Sequence, residues 1–259
     1  MKLGVSSLYL INKTFEALPK AIERSGVKNW EIVDEDAITI DAKKVKILNE
    51  LKSSFDLEYT VHAPFADMNI ASFNQDVLRL VLKRLENSLK NAYFLQAEKW
   101  IFHPGIHTGL SLLHLGEDAR INLQSIRYLS RKAENLGVEI AIENMPSQSP
   151  CLFQKVAELE QFYKDLGNSE VGFAFDIGHA NTVGQVDEFL AKFMDKIVHI
   201  HASDNNGSSD THIPIGKGTI DWKSLAETLT KNKFNGFIVV ETLESPIEDL
   251  KRLANIYFK

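Results

Sequence analysis

The sequence predicts an α/β fold, a single-domain (β/α)8 TIM barrel, and three observations carry that prediction. Short apolar, β-branched runs alternate with helical patterns from end to end of the 259 residues, and such alternation builds a parallel sheet. The strand-helix units number eight, which closes naturally into a barrel. The first strand-to-helix connection, around Ser6–Thr14, holds no phosphate-binding glycine fingerprint, so a doubly wound nucleotide-binding sheet lacks its signature.

Taken in order, a first strand is expected at Lys2–Ser6, followed by a helix over Phe15–Ser25. The Trp30–Val33 strand then precedes the Ala42–Ser53 helix, and the Tyr59–His62 strand precedes the third helix. In that helix Leu78, Leu82, Leu85 and Leu89 form one apolar stripe while Lys83, Glu86 and Lys90 stay off it, the 3.6-residue signature of an amphipathic helix. The pattern repeats as strand Trp100–His103 with helix Asp118–Leu136, and strand Glu139–Glu143 with helix Phe153–Leu166. Strand Gly172–Asp176 with helix Asp187–Met194, strand Val198–His201 with helix Trp222–Lys231, and strand Phe237–Glu241 with helix Pro246–Tyr257 complete the series. No Pro/Gly/Ser-rich linker or low-complexity tract divides the chain, so one domain is expected over 1–259.

Composition narrows the function. With a formal net charge of -6 and a pI near 5.8, nothing global attracts a polyanion. The one cysteine, Cys151, excludes an internal disulfide framework and suits a reducing compartment. The N-terminal run Met1–Ile11 has one basic residue and no small-residue cleavage site, and reads as a first strand. No apolar run reaches the roughly 20 residues of a membrane span. A soluble, cytoplasmic protein with no membrane partner is the expectation.

Chemistry gathers at the strand ends. Strand three ends in His62, four in His103, five in Glu143, six in Asp176 with His179 three residues on, seven in His201 and eight in Glu241. The loop after strand seven adds Asp204, then Asp210 and His212 ahead of Gly216-Lys-Gly218. In a parallel barrel the carboxyl ends of the strands share the active-site face. Alone, each of these histidines reads as a hydrogen-bonded structural residue and each carboxylate as a cap. Together, nine of them (His62, His103, Glu143, Asp176, His179, His201, Asp210, His212 and Glu241) would crowd four carboxylates without counter-charge, which is costly in a partly dry site. Metal resolves this, and imidazole plus carboxylate without thiolate suits zinc or manganese. Three divalent ions, with Glu143 bridging two, use all nine ligands; six positive charges against four carboxylates leave two, a site that wants an anion.

The motifs carry a resemblance. His62-Ala-Pro-Phe with Asn69-Ile-Ala-Ser, Phe102-His-Pro-Gly-Ile-His107, Ile142-Glu-Asn144, Phe175-Asp-Ile-Gly-His-Ala180, His201-Ala-Ser-Asp204, Asp210-Thr-His212 and Val240-Glu-Thr242 resemble the endonuclease IV family in order and spacing. They are equally similar to the wider xylose isomerase-like barrels, which include sugar and sugar-phosphate isomerases and epimerases. The endonuclease resemblance implies up to three zinc ions: one on His62, His103 and Glu143, one on Glu143, Asp176, His201 and Glu241, and one on His179, Asp210 and His212. It implies phosphodiester hydrolysis on the 5′ side of an abasic site, hence a metal-dependent phosphoesterase. The isomerase and epimerase resemblance implies one manganese, magnesium or cobalt ion on Glu143, Asp176, His201 and Glu241, with Glu143 and Glu241 as catalytic carboxylates that move a proton to and from carbon. A barrel that keeps its metals for structure alone is a third reading.

Departures from the endonuclease pattern bear on the substrate. The first loop reads Ser6-Ser-Leu-Tyr-Leu-Ile-Asn-Lys13, the second is the acidic Asp34-Glu-Asp-Ala37, and the seventh is compact. An acidic loop facing a phosphate backbone is repulsive. Lys13 and Lys217 are the basic candidates near the mouth, and both read as solvated lysines. A phosphate-bearing substrate, abasic DNA or a small sugar phosphate, is expected; oligomeric state is not legible.

Overall fold

In the computed structural model, which describes residues 1–167, 169–244 and 246–257, the alternation resolves into a closed barrel of eight parallel strands in sequence order. The strands are β1 (Lys2–Ser6), β2 (Asn29–Val33), β3 (Glu58–His62), β4 (Trp100–Phe102), β5 (Ile140–Glu143), β6 (Gly172–Asp176), β7 (Ile197–Ala202) and β8 (Phe237–Val240). Closure is made by β8 against β1, with Lys2 opposite Phe237 and Val5 opposite Val240. Around the barrel lie α1 (Ala17–Ser25), α2 (Ala42–Phe55), α3 (Gln75–Phe94), α4 (Glu117–Leu136), α5 (Val156–Leu166), α6 (Ile177–Thr182), α7 (Val186–Phe193), α8 (Trp222–Lys231) and α9 (Pro246–Tyr257). Among the described residues no helix is long and apolar enough to cross a membrane.

Successive side chains on a strand point to opposite faces, and the register turns this into two layers. Trp30, Tyr59, Val61, Trp100, Phe102, Ile142, Phe173, Phe175, Ile200, Ile238 and Val240 join the large core under the helices. The opposite set faces inward. Register pairs Glu31 with Thr60, Val33 with His62, Glu143 with Ala174, Ala174 with His199, and Asp176 with His201. A small apolar cluster of Ile101, Ala141 and Ala174 fills part of this interior. TIM-barrel interiors are normally packed with Val, Ile and Leu; here Glu31, Thr60 and His199 occupy inward positions and are buried.

Two differences from the expected pattern bear on the rim. The fifth helix starts at Val156 instead of Phe153, because Phe153 adopts a left-handed φ of 65° and Cys151 forms a bridge to Ile106 across the rim. The short helix α6 directly after β6 was not expected. Asp176 is its N-cap, its Oδ1 accepting from the His179 amide at 2.6 Å, so one aspartate both ends the strand and starts the helix.

Candidate metal centre

All nine residues singled out at the strand ends meet on one rim. The centre is Glu143, the last residue of β5. Its Oε2 stands 3.2 Å from Nε2 of both His62 and His103, and its Oε1 stands 2.9 Å from His201 Nδ1 and 3.6 Å from His179 Nδ1. His201 Nδ1 also faces Glu241 Oε2 at 3.7 Å and Asp176 Oδ2 at 3.9 Å. A third group forms around Asp210, whose Oδ2 lies 3.2 Å from His179 Nε2 and 3.0 Å from His212 Nε2. Groups close enough to share an ion are His179–Asp210–His212 and Glu143–Asp176–His201–Glu241, as expected, while His62 and Glu143 group with His201 where His103 was expected, and Glu31, His199 and His201 form a further group.

The far side of each imidazole decides which nitrogen it can offer. His62 Nδ1 lies 2.8 Å from the Ala63 carbonyl, His179 Nδ1 2.7 Å from the Asn144 carbonyl and His212 Nδ1 2.7 Å from the Glu241 carbonyl. A carbonyl can only accept, so those Nδ1 atoms carry hydrogen and Nε2 is the free donor atom. In each case Nε2 is the nitrogen that faces a carboxylate of the site. His201 is reversed, with Nε2 on Glu31 and Nδ1 toward the centre.

The donor set fits divalent ions on two further grounds. Asp176 Oδ2 and Asp210 Oδ1 are buried oxygens without a hydrogen-bond partner, and a buried carboxylate oxygen left unpaired is destabilising by several kcal/mol. His212, on the loop beyond β7, has a φ of 45°, backbone strain of the kind that persists where surroundings hold a functional side chain in place. Zinc and manganese both suit nitrogen and oxygen ligands of this kind.

Electrostatics follows from the crowding. Burial would lower His62, but the hydrogen bond and charge of Glu143 outweigh it and hold the imidazole at about 9. The same competition, won by Asp176 and Asp210, holds His179 at about 10, and Asp210 holds His212 at about 9. Burial pushes Glu241 up to about 7 and raises Asp176. Glu143 is held well below the usual carboxylate range because His201 and His103 outweigh its burial. Without metal, the crowded carboxylates favour retained protons on His62, His179, His201 and His212, and burial favours one on Glu241.

Two loops have different roles from those expected. Asp204, a possible ligand on sequence grounds, organises the loop instead: its Oδ2 accepts from Gly216 N and Trp222 Nε1, each at 2.9 Å, and its Oδ1 from Asn205 N at 2.9 Å. A Cβ at Gly218 would lie 2.1 Å from the Asn205 carbonyl, which explains the second glycine of the Gly-x-Gly turn. The acidic second loop is also largely spent internally. Asp34 is buried and pairs with Arg84 Nη2 at 3.0 Å, and Glu35 Oε2 accepts from Phe65 N and Ala66 N at 2.9 Å each, so of its three acids only Asp36 is exposed. The loop therefore presents much less negative charge than its sequence suggests.

Above the carboxylates lies a cavity of about 240 Å³. Leu8, Val33, Phe65, Met145 and Pro146 form its apolar wall, and His62, His103, Glu143, His179, Asp210, His212 and Glu241 its polar floor. Among the described residues no lysine or arginine lines it; Lys13 and Lys217 are exposed elsewhere. Sequence reasoning missed the residues one layer down, Glu31, Thr60 and His199. His199 was findable, since it sits two residues before His201 on the same strand and so on the same face.

Residues 19–256 match the family model for the xylose isomerase-like TIM barrel. The chain belongs to this family. An uncharacterized protein of Methanocaldococcus jannaschii is 34% identical over 244 residues, covering 93% of this chain and 83% of the relative. A probable endonuclease 4 of Pediococcus pentosaceus is 26% identical over 206 residues, covering 73% of this chain and 67% of the relative. Among solved structures, the crystal structure of a D-tagatose 3-epimerase-like protein superposes with a TM-score of 0.93 at 33% identity, covering 100% of this chain and 97% of that one. The xylose isomerase-like family thus accounts for the barrel, and its relatives carry the names of both endonucleases and sugar epimerases.

Proposed function

We propose that the protein is a divalent-metal-dependent sugar epimerase or isomerase, with Glu143 and Glu241 as the two carboxylates that move a proton from and to carbon. The observation that carries this reading is the cavity. At about 240 Å³ it is smaller than the usual pocket for a drug-sized ligand, and its floor of carboxylates and imidazoles meets a wall without a lysine or arginine. A small polyol suits such a space; a phosphate group would find no lysine or arginine there. The similarity to a D-tagatose 3-epimerase-like protein supports the same class.

The chain's own residues account for the acid-base work. Glu143 and Glu241 both line the floor of the cavity and both face His201 Nδ1, at 2.9 and 3.7 Å, so a substrate carbon held in the cavity is within reach of one carboxylate as proton acceptor and the other as donor. One carboxylate takes the hydrogen next to the sugar carbonyl as a proton, and the electron pair moves toward the carbonyl oxygen. The protonated partner then returns a proton to the opposite face, or to the neighbouring carbon for isomerisation. Phe65, Leu8 and Met145 exclude water from the reacting carbon. Glu143, Asp176, His201 and Glu241 would hold a divalent ion, which would supply positive charge for the oxygen that gains electron density.

Phosphodiester hydrolysis by a three-ion centre is the second reading, and the His179–Asp210–His212 group favours it. That group is complete and has an unpaired oxygen, yet a one-ion epimerase gives it no work. The two readings separate in one pair of assays. Incubation with ketohexoses in deuterium oxide, followed by NMR, is expected to show exchange at the carbon next to the carbonyl. An oligonucleotide carrying an abasic site is expected to stay intact; its cleavage, with no exchange into any sugar, would replace the first reading with the second.

A further inference from the structure

Beneath the proposed metal centre lies a second polar cluster that neither reaction uses. Glu31 on β2, Thr60 on β3 and His199 on β7 point into the barrel one layer below the rim, and Glu31 and His199 have 0% exposure. Glu31 Oε2 lies 3.2 Å from His201 Nε2 and accepts from Thr60 Oγ1 at 3.3 Å. His199 Nε2 approaches the same oxygen at 3.0 Å, though out of line for a hydrogen bond, and the rings of His199 and His201 meet edge-on at 4.8 Å. A carboxylate in the middle of a barrel costs far more than the Val or Leu that usually fills this layer. Its one contact with the site is His201.

We propose that Glu31 is a positioning residue for the metal centre: it accepts the Nε2 hydrogen of His201, fixing the ring so that Nδ1 is the nitrogen turned toward Glu143, Asp176 and Glu241. The other three histidines with assigned far-side contacts are set by backbone carbonyls and present Nε2. His201 presents Nδ1, a reversal no carbonyl enforces, and the only acceptor facing its Nε2 among the described contacts is Glu31. A carboxylate behind a ligating imidazole also raises the basicity of the ligating nitrogen. Thr60 donates to the carboxylate and keeps it aimed, while His199 packs against the ring of His201.

The inference rests on the proposed metal centre and is tested by zinc titration of the metal-free protein, with cobalt absorption as a second readout. Glu31→Gln keeps the volume but removes the charge, and is expected to weaken the binding step that involves His201 by roughly 10- to 100-fold and to shift the cobalt d–d bands. The step that involves Asp210 is expected to stay as in wild type, which separates positioning from a general loss of structure. Thr60→Val, a milder change, is expected to move the same step in the same direction by less, and serves if Glu31→Gln does not fold. Wild-type affinity and an unchanged cobalt spectrum in both variants would overturn the inference while leaving the metal centre standing. Loss of one whole ion with the rest unaffected would overturn it too, by making Glu31, His199 and His201 ligands of a separate ion. If wild type itself binds no zinc or cobalt, the metal centre fails and takes the inference with it.

Discussion

Glu241 Oε2 lies 3.7 Å from Nδ1 of His201, the nitrogen that Glu143 Oε1 approaches to 2.9 Å. The two carboxylates share one imidazole but not one environment. Glu143 touches His62, His103 and His201, whereas His201 is the imidazole that Glu241 faces. Glu241→Gln is therefore expected to keep most of the bound metal and lose roughly 10²- to 10⁴-fold in turnover, the usual worth of a general acid-base group. Glu143→Gln is expected to lose metal as well as turnover. Metal analysis beside sugar exchange decides it; equal metal contents in the two variants would contradict the asymmetry.

Metal-free stability should fall as pH rises from about 7 to 9. His62 and His212 stand at about 9 in the folded chain, above the ordinary histidine value near 6.5. The folded state therefore holds their protons more tightly than the unfolded one, and the stability this lends is complete below the unfolded value and lost as pH climbs through the folded one. Glu241, pushed up to about 7, has lost its own contribution of the same sign by then. His103 and His199, lowered by burial, act below this window. A loss of roughly 1 kcal/mol or more is expected in denaturant melts. Zinc affinity should rise over the same range, because ligands must shed protons to bind. A melt midpoint that climbs with pH in the metal-free protein would refute this account.

How much of this was legible in the sequence depends on the reach of the signal. The eight strand runs and the nine rim residues were legible because strand ends in a closed parallel barrel share one face, so position along the chain fixes position in space. Glu31 was not, since a lone glutamate in Trp30-Glu-Ile-Val33 declares its side of the strand only once register is known. The acidity of Asp34 and Glu35 misled for a related reason: their partners, Arg84 and the amides of Phe65 and Ala66, lie far along the chain. Helix α6 is six residues long, too short to leave a periodic pattern.

Asp204 is expected to be the stability anchor of the loop after β7. It accepts well-aligned bonds from Gly216 N, Trp222 Nε1 and Asn205 N, and backbone pairing between Asp204 and Ile213, at 3.1 and 3.0 Å, ties the two arms of that loop together. Removing a buried acceptor leaves its donors unpaired, at about 1–3 kcal/mol for each. Asp204→Ala should cost about 3 kcal/mol or more and lower the melting temperature by several degrees, with reduced occupancy at Asp210 and His212 on the same loop. A melt within one degree of wild type would show that water replaces these bonds.

Asp210 separates the two functional readings by a count. Its Oδ2 faces His179 and His212, and its Oδ1 has no partner, so an ion there would use only ligands that stand apart from the Glu143–Asp176–His201–Glu241 group. In Asp210→Asn the charge that binds the two imidazoles is gone while the volume is kept. An epimerase built on the Glu143 and Glu241 pair should lose one ion per chain and keep proton exchange within about tenfold, since the acid-base carboxylates are untouched. A three-ion phosphodiesterase should lose the same ion and nearly all of its turnover, because charge on the leaving side of the phosphate is part of its chemistry. Metal stoichiometry and rate measured on the same preparation distinguish these outcomes. Asp210→Asn protein that keeps its full metal content would instead show that this group holds no ion and that His179 and His212 are fixed by hydrogen bonds alone.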